Sequence, residues 1–223
     1  MIKAIVFDMD GVVIDSEPLY QKAQIAFFAT YGVTVLPEHW NVFRGSTEQK
    51  FYEVARDMYG IDEPLDRLMP EGRQYVLQIF EQELAYANGF LELMNRIKGR
   101  YKTALVTSTP GAMYKWIEDR LDMGDHFDSV IFGEMTTNHK PHPEPYATMF
   151  ERLGVAPTEA MVIEDSIYGL NSALASGAWT VALTGSVPVE DMPRAHALIE
   201  SLNEIDDQFI NAILTMNNEE PVS

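Results

Sequence analysis

The sequence predicts an α/β protein: a parallel sheet with helices on both faces, interrupted early by an all-helical insertion. Three observations carry this prediction. Five short apolar runs, IKAIVF (2–7), YKTALVTS (101–108), DSVIFG (128–133), AMVIEDS (160–166) and AWTVALTG (178–185), read as buried strands. Helical patterns separate the later runs, and strand–helix alternation implies a parallel sheet. Between the first run and the second, residues 17–87 show helical spacing and no convincing strand. The expected organisation is a Rossmann-like α/β core of residues 1–15 and 88–223, with a helical cap domain of residues 16–87.

The elements follow in order. After the first strand, SEPLYQKAQIAFFATYG starts a helix with Ser16 as candidate N-cap and Pro18 in the first turn. Leu19, Ala23, Ala26, Phe27 and Thr30 give its apolar spacing, and Gly32 suits its end. TEQKFYEVARDMYG (47–60) and EGRQYVLQIFEQELAYA (71–87) continue the helical insertion, with aromatics such as Phe27, Phe28, Tyr75 and Phe80 as its core. In the second half, Tyr146, Met149, Phe150 and Leu153 make one helix face closed by Gly154. Ile167, Leu170 and Leu174 make another, closed by Gly177.

Composition bounds the function. The chain has 223 residues, 46% of them hydrophobic, enough for an ordinary core. It has no cysteine, which excludes disulfides, thiolate metal sites and a cysteine nucleophile. No apolar run approaches the roughly 18–20 residues that span a membrane, and the first residues lack a signal-peptide layout. A cytoplasmic monomer is the expectation. The formal net charge of −18 repels phosphate backbones, so nucleic-acid binding is not expected. The same field opposes a small anionic substrate unless a local cation offsets it.

Ligands of open parallel sheets bind beyond the carboxyl ends of the strands. The first strand delivers Asp8 and Asp10 there, and the second delivers Thr107, Ser108 and Thr109. The loop after the third carries Lys140, and the fourth delivers Glu164 and Asp165. Each feature alone suits a solvated loop end, and DG alone suits a turn. Together they suit phosphoryl transfer. Several carboxylates in one crevice need a cation, and their hard oxygens select Mg²⁺. One carboxylate can attack phosphorus while a second moves the proton. A hydroxyl and an ammonium can hold the charge that builds on the phosphoryl oxygens.

In order and spacing, VFDMDGVVIDSEPL, ALVTSTP, KPHPEPY and VIEDSIYGLNSALASGA resemble the four motifs of the haloacid dehalogenase superfamily. The likeness is to its β-phosphoglucomutase-like branch, which carries a helical cap after the first motif. The resemblance implies a Mg²⁺-dependent phosphatase that hydrolyses a small phosphomonoester, such as a sugar phosphate, through an aspartyl phosphate. It implies Asp8 as nucleophile, Asp10 as general acid/base and Thr107 on the transferring group, with Ser108 and Thr109 beside the substrate. Lys140 would stabilise the Asp8 phosphate. The metal would sit on Asp8, the Asp10 carbonyl and Asp165, with Glu164 alongside. Arg44 and Gly45 fall where caps of this branch reach the substrate. Glu17 is a further candidate contact, although Asp15, Ser16 and Glu17 also suit a plain helix start.

A β-phosphoglucomutase-type isomerase is the alternative. Three positions depart from it: Tyr20 replaces a histidine, Glu48 falls where a cap arginine is usual, and Pro110 replaces a lysine. A phosphate-accepting signalling receiver is more remote, because it lacks a cap and orders its acidic pairs differently.

Overall fold

The structure, a computed structural model, describes residues 1–40 and 48–215. Six parallel strands form one sheet in the order β3-β2-β1-β4-β5-β6. They are β1 (Ala4–Phe7), β2 (Lys102–Val106), β3 (Ser129–Ile131), β4 (Ala160–Glu164), β5 (Trp179–Leu183) and β6 (Ala197–Ile199). The helices among the described residues are α1 (Glu17–Ala29), α2 (Glu48–Tyr59), α3 (Leu65–Glu83), α4 (Phe90–Ile97), α5 (Gly111–Leu121), α6 (Glu144–Leu153), α7 (Ile167–Ala175) and α8 (Asp207–Ala212). Helices α1 to α3 form the insert between β1 and β2.

The five expected strands are all present, each shorter than the run that marked it. Thr107 and Ser108 lie just past β2, and Asp165 lies just past β4. The sixth strand is absent from the sequence reading because its three residues are too few to show a period. It pairs with β5 at the sheet edge and leaves Leu198 half exposed.

Strand residues alternate between the faces. Ala4 and Val6 pack with Ala104, Val106 and Val162 against Tyr146, Met149, Phe150 and Leu153 of α6. All four expected residues of the α6 face are buried. On the other face Phe7 meets Phe90 of α4 edge-on, at 5.7 Å between ring centroids. Both faces are covered, which is why the strands read as continuous apolar runs instead of alternating ones.

Helix α7 corrects the sequence reading. Its buried residues are Gly169, Leu170, Ser172 and Ala173, whereas Ile167 and Leu174 are only half buried. Leu170 is buried as expected, and Gly169 is buried because the helix there lies close against Glu164 at the end of β4. Ser16 occupies the N-cap position of α1, but its buried hydroxyl makes no capping bond. Helix α3 begins earlier than expected and ends at Glu83; the chain then turns extended, and Ala87 N–H donates to Val13 O at 2.9 Å.

The chain divides into two compact units, Met1–Asp15 with Ala85–Ser223, and Ser16–Leu84. The second has its own aromatic core, with Phe27, Phe28, Phe51, Tyr52 and Leu68 buried together. No helix among the described residues is long and apolar enough to cross a membrane.

Candidate active site

Strand register brings the first acidic residue between two neighbours. Phe7 lies level with Leu105 of β2 and Ile163 of β4, so Asp8 comes level with Val106 and Glu164. Asp8 N–H donates to Ile163 O at 3.0 Å and continues the ladder one residue past the strand. The strand order reverses between β1 and β4, and a crevice opens at such a switch point. Asp8, Glu164 and Asp165 are all buried there, with carboxylate oxygens within 4.8 Å of one another.

Lys140 balances them. Its Nζ donates to Asp8 Oδ1 at 2.5 Å, to Glu164 Oε1 at 2.6 Å and to the Val106 carbonyl at 2.9 Å. Three acceptors match the three donors of an ammonium. Burial alone would lower the Lys140 pKa, but the Asp8 and Glu164 carboxylates outweigh it and hold the ammonium well above its usual range. Asp8 moves upward despite the lysine, first through burial and then through repulsion from Glu164. Asp165 is pushed up to about 7 by burial and by Glu164, against the lowering effect of its bond from the Ser186 hydroxyl.

Glu164 is fully buried, and both its oxygens are engaged. Oε1 accepts from Lys140 and from the Tyr146 hydroxyl at 2.8 Å. Oε2 accepts from the Asp165 and Ser166 N–H groups, at 3.1 and 3.3 Å, and from the Ser166 hydroxyl at 3.1 Å. Ser166 also caps α7 by accepting from Gly169 N–H at 3.0 Å. Glu164 therefore ties β4, α6, α7 and the lysine together.

Asp10 stands beyond the strand, where the chain turns. The N–H groups of Val12, Val13 and Ile14 converge on the Met9 carbonyl at 3.3, 2.9 and 3.0 Å, and Met9 itself is buried. Gly11 takes φ +77°, and a Cβ there would overlap the Asp165 carboxylate, so glycine is required twice over. Asp10 Oδ2 accepts from the Thr109 hydroxyl at 2.8 Å. Thr107 is buried, and its hydroxyl accepts from Thr109 N–H at 3.0 Å. Ser108 is exposed.

The structure thus brings Asp8, Asp10, Thr107, Thr109, Lys140, Glu164 and Asp165 to one edge of the sheet. Glu17 belongs to the helical unit, in the first turn of α1, where it accepts from Gln21 at 3.4 Å. Arg44 and Gly45 lie outside the described residues. Tyr146, Ser166 and Ser186 were absent from the expected set. Tyr146 was legible only as part of an apolar face, and Ser166 and Ser186 carried no signal beyond their place after strand ends.

Four carboxylates and an ammonium gather at the switch point of the parallel sheet, an arrangement able to carry out chemistry. Residues 5–183 match the model of the haloacid dehalogenase-like hydrolases. A phosphorylated carbohydrates phosphatase of Thermotoga maritima is 30% identical over 204 residues, covering 91% of this chain and 88% of its own. A fructose-1-phosphate phosphatase of Escherichia coli is 26% identical over 78% of this chain and 92% of its own. A solved structure from Thermotoga maritima, provisionally assigned as a β-phosphoglucomutase, superposes with a TM-score of 0.79 at 29% identity, covering 96% of this chain and 97% of its own. The chain is an enzyme of the haloacid dehalogenase-like hydrolase family.

Proposed function

We propose that this hydrolase is a Mg²⁺-dependent phosphatase of a small phosphomonoester, a phosphorylated sugar or closely related metabolite. One observation carries the reading: a buried carboxylate, Asp8, is held by a lysine beside two further carboxylates. The phosphorylated carbohydrate and fructose-1-phosphate phosphatases among its relatives support the substrate class.

The donor set fits a hard divalent cation. Asp8 and Asp165 offer clustered carboxylate oxygens, and burial and repulsion raise the pKa of both, a strain that a cation between them relieves. Asp8, Asp165 and the Asp10 carbonyl would hold it. Bound there, it would screen the phosphate from the carboxylates and draw charge from the phosphoryl oxygens. Glu164 has both oxygens committed to protein donors, so its part is to aim Lys140 and to shape the loop carrying Asp165.

In the first half-reaction an Asp8 oxygen bonds to phosphorus and the ester P–O bond breaks. The departing oxygen takes its proton from the Asp10 carboxyl. In the second half the Asp10 carboxylate takes a proton from water, and the water oxygen attacks phosphorus. The Asp8–phosphorus bond breaks, releasing inorganic phosphate and restoring the carboxylate. Lys140, held on Asp8, offsets the charge of the aspartyl phosphate, and the Thr107 hydroxyl holds a phosphoryl oxygen as charge moves across it.

Tyr20, Glu48 and Pro110 favour hydrolysis over isomerisation. Tyr20 packs on Phe80 at 5.0 Å, and both Glu48 oxygens are taken by Arg73, at 2.7 and 2.6 Å. Pro110 offers no charge for a second phosphate.

A phosphate-release panel of sugar phosphates with Mg²⁺ tests the reading. Release should stop in Asp8→Asn and with EDTA. Conversion of β-glucose 1-phosphate plus bisphosphate primer to glucose 6-phosphate, without free phosphate, would refute it.

A further inference from the structure

We infer that Thr109 is a positioning residue for Asp10, its hydroxyl serving the proton donor instead of the substrate phosphate. The inference rests on the phosphatase reading above.

Thr109 stands on a fixed backbone. Its N–H donates to the Thr107 hydroxyl at 3.0 Å, and its carbonyl accepts from Gly133 N–H at 3.0 Å. That second contact needs glycine: a Cβ at 133 would lie 2.8 Å from the Ser108 carbonyl oxygen. Pro110 follows and bars Thr109 from helical backbone angles. From this platform the β-branched side chain, stiff about χ1, delivers its hydroxyl to Asp10 Oδ2 at 2.8 Å. One residue therefore ties Thr107 through its backbone and Asp10 through its side chain. A hydroxyl suits the second task because it donates to a carboxylate and, after rotating, accepts from a carboxyl. One contact can persist through both half-reactions.

The consequence is specific. Asp10 protonates the departing oxygen, so its aim matters most for esters whose leaving group is poor. Misplacing a reacting group by about 1 Å can reduce the rate on the order of 100-fold. A contact to the substrate phosphate would instead help every ester alike and act on KM.

The experiment is first-turnover release of the phenol from phenyl phosphate and from p-nitrophenyl phosphate, with Mg²⁺, for wild type, Thr109→Val and Thr109→Ser. Valine keeps the shape and the backbone bond to Thr107, and removes only the hydroxyl. With Thr109→Val the phenyl phosphate rate should fall at least roughly 10-fold, within the range for general acid catalysis. The p-nitrophenyl phosphate rate should fall by less than about 3-fold, because a good leaving group needs little proton assistance. KM should stay put for both, and Thr109→Ser should recover most of the lost rate. Equal losses on the two esters, or a raised KM at unchanged kcat, would overturn the inference. Full release by Asp8→Asn, or none by wild type, would overturn the phosphatase reading itself, and this inference with it.

Discussion

Gly169 gives Glu164 its place. A Cβ on residue 169 would overlap the Glu164 carboxylate, which is fully buried and bonded on both oxygens, so it has nowhere to retreat. The first turn of α7 can lie on the end of β4 only because this side chain is missing.

Gly169→Ala should therefore reverse the usual sign of that substitution. In an ordinary helix interior, alanine stabilises over glycine by roughly 0.5–1 kcal/mol. Here overpacking should destabilise by about 1–3 kcal/mol. Urea denaturation would show a lower midpoint with an unchanged slope, and phosphate release should fall with the displacement of Glu164 and Lys140.

Lys140→Met leaves two buried carboxylates facing each other without their ammonium. Removing one partner from a buried ion pair costs about 3–5 kcal/mol. Activity should be lost with it. Burial and the Glu164 carboxylate already raise the Asp8 pKa, so Asp8 sheds its charge more readily at lower pH, and the variant should melt closer to wild type at pH 5 than at pH 8.

Asp165 sets a pH dependence that metal should reverse. Burial and the Glu164 carboxylate hold its folded pKa at about 7, above the ordinary aspartate value of 3.8. A group raised on folding contributes stability that is full below pH 3.8 and lost as pH climbs through about 7. With EDTA, melting temperature should therefore decline from pH 5 to pH 8. Mg²⁺ binds the ionised form, so its stabilising shift should be larger at pH 8 than at pH 5. A Mg²⁺ effect equal at both values would contradict this.

Tyr146→Phe removes one of the two donors on Glu164 Oε1 and leaves Lys140 on the same oxygen. The loss of one buried hydrogen bond should lower stability by about 1 kcal/mol. A several-fold drop in kcat at constant KM should accompany it, measured on any substrate found by the panel.

Much of this was legible in the sequence because strand ends declare themselves. Where an apolar run stops at Asp8, Thr107 or Glu164, the parallel sheet fixes which edge receives the next side chain. The supporting donors were not legible, for a physical reason. Tyr146 sits on an apolar stripe and buries its ring like its neighbours Met149 and Phe150, and nothing in the spacing shows that its hydroxyl ends on Glu164. Helix α7 misled for a related reason. A period of larger residues pointed to Ile167, Leu170 and Leu174; Leu170 is buried as expected, but Gly169, Ser172 and Ala173 are buried in place of the other two, Gly169 because the Glu164 carboxylate leaves no room for a side chain. The edge strand β6 had too few residues to show any pattern.

The sheet order has a consequence for how the centre comes into being. Asp8 is made well before its partners, which lie far along the chain: Lys140 is 132 residues on, and Glu164 follows later still. Until β4 pairs with β1, the first acidic pair lacks Glu164, which aims Lys140, and Asp165, its carboxylate neighbour. Contacts this distant in sequence form slowly, because loop closure precedes their reward. A nascent or partly folded chain that has completed its helical insert still lacks the centre. The centre is complete only when all four contributing segments have docked.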